Sequence, residues 1–215
     1  GAPGPYDLIW CAGALYFLGV TEGLRAWREA LEPGGWVAFS HPVHLSDSPS
    51  AAARAFDLLR TRLRQTTLEH RWVNIAVTAP TSGCGNSFSA TNLALSLSRV
   101  PGSRTVLMDM NMRSPGLAHA FDMRAPGAMS ALLSGRADLG KGMLRVSDTL
   151  ALGLNDRAEV NAAEILQDSA TAETLLRLRA SLQPEIVLYD MPPMLEHDDL
   201  SAFLPQLDGV LLISD

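Results

Sequence analysis

The part of this 215-residue chain with the clearest capacity for chemistry is the polar loop 78–87, which contains Gly83, Gly85 and Ser87. It lies between a predicted strand and a predicted helix. Glycines there let the backbone curl, so that successive N–H groups and the helix N-terminus can face an anion. The loop therefore predicts a phosphate site, although a glycine-rich turn without a ligand has the same composition. Asn86 stands where such loops carry a lysine before the serine.

Two aspartates follow predicted strands that could bring them beside this loop. Asp109 ends the predicted strand 104–109, and Asp190 ends the predicted strand 185–190. The carboxyl ends of parallel strands meet at one edge of a sheet, where carboxylates can hold Mg²⁺ directly or through water. Either acid alone could instead cap a loop or a helix. Together with the loop, their spacing favours a site for phosphate and Mg²⁺.

An alternation of apolar strands and helices has to position these residues. Strands are predicted at 73–78, 104–109, 150–154, 185–190 and 209–214, and helices at 51–65, 87–99, 128–133, 162–166, 170–182 and 198–204. Continuous apolar strands such as 186–189 indicate a sheet that is covered on both faces. We therefore predict an α/β fold with a doubly wound, mostly parallel sheet.

The first 43 residues predict a smaller βαβ unit, with strands at 6–10 and 36–40, a helix at 22–31 and a turn at Pro33-Gly34-Gly35. The polar segment 44–50 is the predicted linker to a domain at 51–215. We expect the unit to be separate from the main sheet or only loosely docked on it. Residues 1–43 resemble the later part of a class I S-adenosylmethionine-dependent methyltransferase, which implies a truncated or fused reading frame.

Residues 48–215 resemble the cytoplasmic ATPase domain of bacterial tyrosine kinases and exopolysaccharide chain-length regulators of the CpsD, CapB and Wzc type. These belong to the larger MinD and ParA-like P-loop group. The resemblance rests on an ordered set of segments, at 55–63, 82–87, 92–94, 106–115, 187–193 and 208–212. It implies a sheet of the P-loop NTPase type with ATP and Mg²⁺ as cofactors.

The resemblance also assigns roles to individual positions of this chain. The implied nucleotide-binding residues are Gly83, Cys84, Gly85, Asn86, Ser87 and Phe88, and the implied metal ligands are Ser87, Asp109 and Asp190. Asp109 and Asp190 are the implied catalytic residues. The chain departs from the family pattern at Asn86, which replaces lysine, at Asn111, which replaces a second acid, and at Phe88, which replaces a hydroxyl residue.

The family transfers the γ-phosphate of ATP to tyrosines, works with a membrane-spanning activator and controls polysaccharide export. Because the lysine is missing, we expect a degenerate kinase-like domain that regulates exopolysaccharide or capsule synthesis. An active tyrosine kinase, a nucleotide-independent protein-binding module and a methyltransferase remnant are the alternatives. Arg54, Asp57 and Arg60 occupy the family's positions for contacts between subunits, which implies a homo-oligomer, although a solvated charged helix face fits the same pattern.

Composition limits the partners and the compartment. The net charge of −6, from 17 basic and 23 acidic residues, argues against a general polyanion-binding surface, so no nucleic acid partner is expected. Two cysteines provide no disulfide framework, as expected of a cytoplasmic protein. The apolar uncharged run at 8–21 has 14 residues, whereas a spanning helix needs about 20. We expect a cytoplasmic domain that a partner can hold at the inner face of the membrane.

Overall fold

The computed structural model describes residues 6–12, 31–40 and 49–214, with side chains described from Arg54 onward. The strands of the described residues are β1 Tyr6–Ala12, β2 Leu31–Ser40, β3 Asn74–Thr78, β4 Thr105–Asp109, β5 Leu144–Arg145, β6 Leu150–Gly153, β7 Ile186–Asp190 and β8 Gly209–Ser214. The helices are α1 Pro49–His70, α2 Asn86–Ser98, α3 Leu117–Ala120, α4 Met129–Leu133, α5 Leu139–Gly142, α6 Ala162–Gln167, α7 Ser169–Leu182 and α8 Asp199–Phe203. A 3₁₀ turn follows at Leu204–Gln206.

These strands form one sheet in the order β2-β1-β8-β3-β7-β4-β6-β5. Only β5, paired with β6, runs antiparallel among the described strands. The predicted doubly wound, mostly parallel sheet is therefore confirmed. Because β7 lies between β3 and β4, the carboxyl ends of these three strands are neighbours at one edge of the sheet.

Apolar cores cover both faces of the sheet, which explains the continuous apolar strands. In β4, Leu107 belongs to one core and Met108 to the other. In β7, Leu188 and Tyr189 divide in the same way. Neighbouring residues of a strand point to opposite faces, so a strand buried on both sides is apolar at every position. Helix α2 packs on the first core, and helices α4, α6 and α7 contribute to the second.

The two N-terminal strands join the main sheet at its β8 edge. They pair in parallel with each other, as the predicted βαβ unit requires, and Trp10 pairs with Ile213 of β8. β1 and β2 extend the sheet through a short ladder to β8, and the expectation of a separate or only loosely docked unit stays a prediction. The predicted helix 22–31 lies outside the described residues except for Leu31, which begins β2.

The predicted turn at residues 33–35 lies inside β2 as an interruption of its pairing. Tyr6 pairs with Leu31, but Leu8 pairs with Trp36, so β2 advances by more residues than β1 between these two pairs. Glycine and proline interrupt a ladder because they fit poorly in a regular strand.

Of the predicted linker 44–50, Pro49 and Ser50 belong to α1, and the remainder lies outside the described residues. The division into domains stays a prediction.

Sequence patterns located the long elements and three short helices, α4, α6 and α8, but missed the other short elements. Helix α1 continues to His70, beyond the predicted end at 65, and the short elements α3, α5 and β5 were not predicted. No helix in the described part of the chain is both long and apolar enough to cross a bilayer.

Candidate phosphate-binding site

The predicted phosphate loop connects the carboxyl end of β3 to the N-terminus of α2. Gly83 and Gly85 have φ angles of 91° and 85°, in the left-handed region that favours glycine. A Cβ atom at either position would meet nothing within 4 Å. Backbone conformation rather than crowding therefore requires these two glycines. Gly85 is the N-cap of α2, so the loop leads directly into a helix N-terminus, as predicted.

Asp109 and Asp190 are direct neighbours across β4 and β7. Both are completely buried. One carboxylate oxygen of Asp109 accepts a hydrogen bond from the Leu117 N–H at 3.1 Å. The second oxygen of each aspartate has no hydrogen-bond partner within the described residues. The structure thus brings the two predicted acids together at the edge where the loop begins.

Burial changes the protonation of this pair. The pKa of Asp109 is raised to about 7 and the pKa of Asp190 to about 8, mainly by removal from water, and the neighbouring Asp109 contributes to the rise at Asp190. Hydrogen bonds from Ser87 and Asn86 act in the opposite direction on Asp190. Two buried carboxyl groups this close resist being ionised together. A cation bound between them would favour the ionised forms.

Asn86 is buried and faces β7. Its Nδ2 donates to Oδ1 of Asp190 at 3.1 Å and to the Met191 carbonyl at 2.8 Å. The amide therefore ties the first turn of α2 to the end of β7. No lysine or arginine side chain hydrogen-bonds or ion-pairs with loop residues 79–87 in the part of the chain that the structure describes. The positive charge that a lysine would bring to this position has no substitute there.

Arg113, the nearest arginine after the Asp109 motif, is engaged elsewhere. Its Nε donates to the buried carboxylate of Asp199 at 2.7 Å, and its Nη1 donates to the Val160 carbonyl at 3.0 Å. Asp198 lies 3.6 Å from Nη2. These contacts join the segment after β4 to the start of α8. Arg113 therefore stabilises the surroundings of the site and is not free to replace the missing lysine.

Glu196, whose contact with the phosphate loop was not predicted from the sequence, hydrogen-bonds to this loop through its carboxylate. Glu196 accepts a hydrogen bond from the Ser82 N–H at 2.6 Å and another from the Ser82 hydroxyl at 2.7 Å. These two bonds lower the pKa of Glu196. The backbone N–H groups of Met194 and Leu195 donate to carbonyls at the start of the loop. No motif signals this contact, because Glu196 lies more than a hundred positions from Ser82.

The remaining predicted loop residues differ in what they can offer a ligand. Ser87 lowers the pKa of Asp190, and its role as a metal ligand stays a prediction. Cys84 is buried, with its sulfur 3.5 Å from the Thr81 hydroxyl. Phe88 is 64% exposed and lies against Phe56 with ring centroids 6.0 Å apart. Phe88 therefore provides no polar group to a ligand at this site.

Two of the three predicted subunit-contact residues are paired within the chain. Asp57 accepts hydrogen bonds from Arg60 at 3.0 Å and from the Ser96 hydroxyl at 2.7 Å, and it also contacts Arg99. Arg60 reaches the Ser96 carbonyl at 3.3 Å. Asp57 and Arg60 thus connect α1 to α2, whereas Arg54 is exposed.

The side chains at this site offer donor atoms that suit a divalent cation. Two buried carboxylate oxygens without partners and the Ser87 hydroxyl are hard oxygen donors, which Mg²⁺ prefers. No group of three or more histidine, cysteine, aspartate or glutamate side chains that could hold a metal occurs within the described residues. Any metal here would therefore depend on further oxygens from water or phosphate.

The chain has relatives among bacterial tyrosine-protein kinases. EpsB of Ralstonia solanacearum, named as a tyrosine-protein kinase, is 31% identical over 173 residues, which cover 78% of this chain and 22% of EpsB. The tyrosine-protein kinase YwqD of Bacillus subtilis is 21% identical over 80% of this chain and 71% of its own length. The chain spans about a fifth of the length of the EpsB proteins that it matches. No protein-family model matches it.

A solved kinase domain has the same fold. The kinase domain of Escherichia coli tyrosine kinase ETK superposes with a TM-score of 0.68 and 21% identity, over 78% of this chain and 66% of that one. At this identity the match establishes the architecture only. It agrees with the mixed α/β sheet and the loop at the carboxyl end of β3.

Proposed function

Since the chain is a homologue of these bacterial tyrosine-protein kinases, we propose that it is a kinase-like domain with an impaired phosphotransfer site. Its role is the regulation of exopolysaccharide or capsule synthesis and export. The observation that carries the proposal is the pair of hydrogen bonds that Asn86 makes to Asp190 and Met191. A neutral amide, tied to the strand, occupies the place of the lysine on which phosphotransfer depends.

The missing lysine matters more for transfer than for binding. In a working loop, the ammonium contacts the β- and γ-phosphates and offsets charge that redistributes during transfer. The backbone N–H groups of the loop and the N-terminus of α2 remain, so a phosphate can still bind weakly. Loss of one preorganised electrostatic contact costs roughly 3–4 kcal/mol in the transition state, or about 10²–10³ in rate.

ATP and Mg²⁺ are the cofactors that this proposal assigns to the site. Ser87, Asp109 and Asp190 would hold the ion, which supplies charge neutralisation at the phosphates when it is bound. The chain's own residues contribute the curled loop, the helix N-terminus and the two buried carboxylates. Phe88 provides no hydroxyl for the ion or the nucleotide.

The partner that we propose is a membrane-spanning polysaccharide chain-length regulator, at the cytoplasmic side of the membrane. Self-association is a second part of this proposal, with Arg54, Asp57 and Arg60 on α1 as the candidates for contacts between subunits. Tyr189 is fully buried, and its hydroxyl is 3.1 Å from Asn74 Oδ1. In the folded chain Tyr189 is therefore not an acceptor for a phosphoryl group.

A nucleotide-independent protein-binding module is the second candidate function, and the Glu196 contact favours it. The carboxylate already accepts a hydrogen bond from the loop N–H of Ser82. A bound phosphate would have to coexist with this negative charge or displace it. If the loop never binds a nucleotide, the same fold serves only to contact other proteins.

Calorimetric titration with ATP, with and without Mg²⁺, separates the two candidates. The kinase-like reading predicts weak binding in the unmodified chain, and tighter, Mg²⁺-dependent binding in an Asn86→Lys variant. Asn92→Lys, on the exposed part of α2, is the control for an added charge. No detectable binding in either the unmodified chain or Asn86→Lys, with both proteins folded, would support the protein-binding module instead.

A further inference from the structure

A cavity of about 360 Å³ lies at the opposite edge of the sheet from the phosphate loop. Its lining includes Thr105 and Leu150, the first residues of β4 and β6. The loop and the two buried aspartates lie at the carboxyl ends of the strands, so they are not part of this cavity. The volume falls within the usual range of small-molecule sites, about 300–1,000 Å³.

The interior of the cavity is apolar. Its floor is formed by Val106 and Ala151, which are register partners on β4 and β6. Leucines and a methionine from α5, α7 and the residues beside them line the rest, namely Leu139, Met143, Leu178 and Leu182. The cavity therefore lies between the sheet and two helices and suits the hydrocarbon part of a ligand.

Two arginines lie on the cavity's side of the sheet. Arg104 precedes Val106 by two residues and so shares its face, and Arg145 is the cross-strand partner of Ala151. Both line the cavity, and so does the acid Asp148. Arg145 donates to Asp148 at 2.6 Å and to the Ser147 carbonyl. The exposed Arg104 guanidinium makes no hydrogen bond or ion pair within residues 54–214.

We propose that this cavity binds a small amphipathic anion, a carboxylate with a short acyl chain. The acyl chain would lie on Val106, Ala151 and the leucines, and the carboxylate would pair with Arg104. Arg guanidinium and carboxylate groups match in charge and in hydrogen-bond geometry. A small inorganic anion would not fill the apolar part of the cavity, and a neutral hydrocarbon would gain nothing from Arg104. This inference is independent of the proposed phosphate site.

Octanoate is the probe for the test. The control probes are 1-octanol, which lacks the carboxylate, and acetate, which lacks the long acyl chain. The full chain, labelled with ¹⁵N, is titrated and followed by NMR. We expect saturable shifts at the amides of Val106 and Ala151, and much weaker effects with the other two probes. Amides of the loop around Gly85 should not move.

Matched variants connect the binding to the cavity. Arg104→Gln should weaken octanoate binding about tenfold, the value of one charge-assisted hydrogen bond. Ala151→Leu, which fills the floor, should weaken it independently of charge. Arg136→Gln is the control, because Arg136 is exposed, hydrogen-bonds to Ser134 alone among the described residues and does not line the cavity. Shifts away from the cavity, or equal affinities for Arg104→Gln and Arg136→Gln, would overturn the proposal. Thermal melts establish that each variant is folded.

Discussion

At the scale of single residues, the candidate site is defined by what contacts Asp190. This buried acid accepts the Asn86 amide and lies beside Asp109 on the neighbouring strand. In a lysine-containing loop the same position would bring a positive charge next to these acids. Here an amide satisfies one carboxylate oxygen without neutralising it. The site therefore has the curled glycine loop and the helix N-terminus of the predicted phosphate site but no lysine at position 86.

Replacement of Asn86 by alanine should destabilise the fold. The change leaves the Met191 carbonyl and one oxygen of Asp190 without their buried donor, and such losses cost about 1–3 kcal/mol. Urea denaturation measures the free energy of unfolding. Asn92→Ala is the control, since the Asn92 amide makes one hydrogen bond at an exposed position. If the two changes lower the free energy of unfolding equally, the buried Asn86 contacts contribute no more to stability than the Asn92 hydrogen bond does.

Replacement of Glu196 by glutamine should strengthen the binding of inorganic pyrophosphate to the loop. The change removes a negative charge next to the Ser82 N–H, and this charge repels an incoming anion. We expect the dissociation constant to fall several-fold. Glu173→Gln makes the same charge change at an exposed residue far from the loop in sequence. If both variants bind pyrophosphate as the unmodified chain does, the Glu196 contact does not compete with anions.

The buried acid pair should make the protein less stable as the pH rises from 5 to 8. The pKa values of Asp109 and Asp190 are raised to about 7 and about 8 from 3.8. An acid whose pKa is higher in the folded than in the unfolded protein contributes stability at pH values below its unfolded pKa. This contribution is lost as the pH rises through the folded pKa. One unit is worth about 1.4 kcal/mol, so we expect a loss of at least that size.

Urea denaturation at the two pH values tests this expectation. The Asp190→Asn variant should lose less stability than the unmodified chain between them. Starting at pH 5 avoids acids with lowered pKa values, such as Asp57, whose contribution is lost only at lower pH. A variant with the same pH dependence as the unmodified chain would show that the pair does not titrate as described.

At the scale of secondary structure elements, a polar network joins α1 to α2. Asp57 is held by Ser96 and by two arginines, and the hydrogen bond from Ser96 is the main cause of its lowered pKa. The family pattern implied contacts between subunits for Asp57 and Arg60. Their contacts within the chain fix the helix that follows the phosphate loop. These contacts hold α2 in place, and a role of the same residues in contacts between subunits stays a prediction.

Asp57→Asn should reduce stability at pH 7 by about 1 kcal/mol or less, since the pair is partly exposed. Because the pKa of Asp57 is lowered, its contribution is present above the unfolded value of 3.8 and is lost as the pH falls through the folded value. The difference from the unmodified chain should therefore shrink below about pH 4. Asp148→Asn, in a highly exposed pair, is the control and should change stability less. A larger loss in the control would contradict the role of the helix–helix network.

Sequence patterns predicted the long elements well because burial imposes a clear pattern on them. Both acids were placed at strand ends, and the loop was placed before α2, since apolar strands and glycines mark these positions. The side-chain contacts of Asn86 and Glu196 were not predictable, because they join segments about a hundred residues apart. Short elements such as β5 depend on tertiary pairing with β6 and have too few residues to show a period.

At the scale of the whole molecule, the sheet separates two regions with different chemistry. The carboxyl edge has the loop, the acid pair and Glu196, and the amino edge has the apolar cavity with its arginines. The N-terminal strands lie beside β8, at the side of the sheet away from that cavity. The kinase-like proposal concerns only the carboxyl edge, so its outcome is independent of the cavity.

The most direct test of the central claim is ATP turnover by the purified full chain, measured as release of inorganic phosphate with Mg²⁺ present. Because Asn86 replaces the lysine and no described arginine or lysine takes its place at the loop, we predict no turnover above the background without protein. An Asn86→Lys variant shows whether a restored charge is sufficient. Robust Mg²⁺-dependent turnover in the unmodified chain, lost on Asp109→Ala, would contradict the account and identify an active kinase-type site.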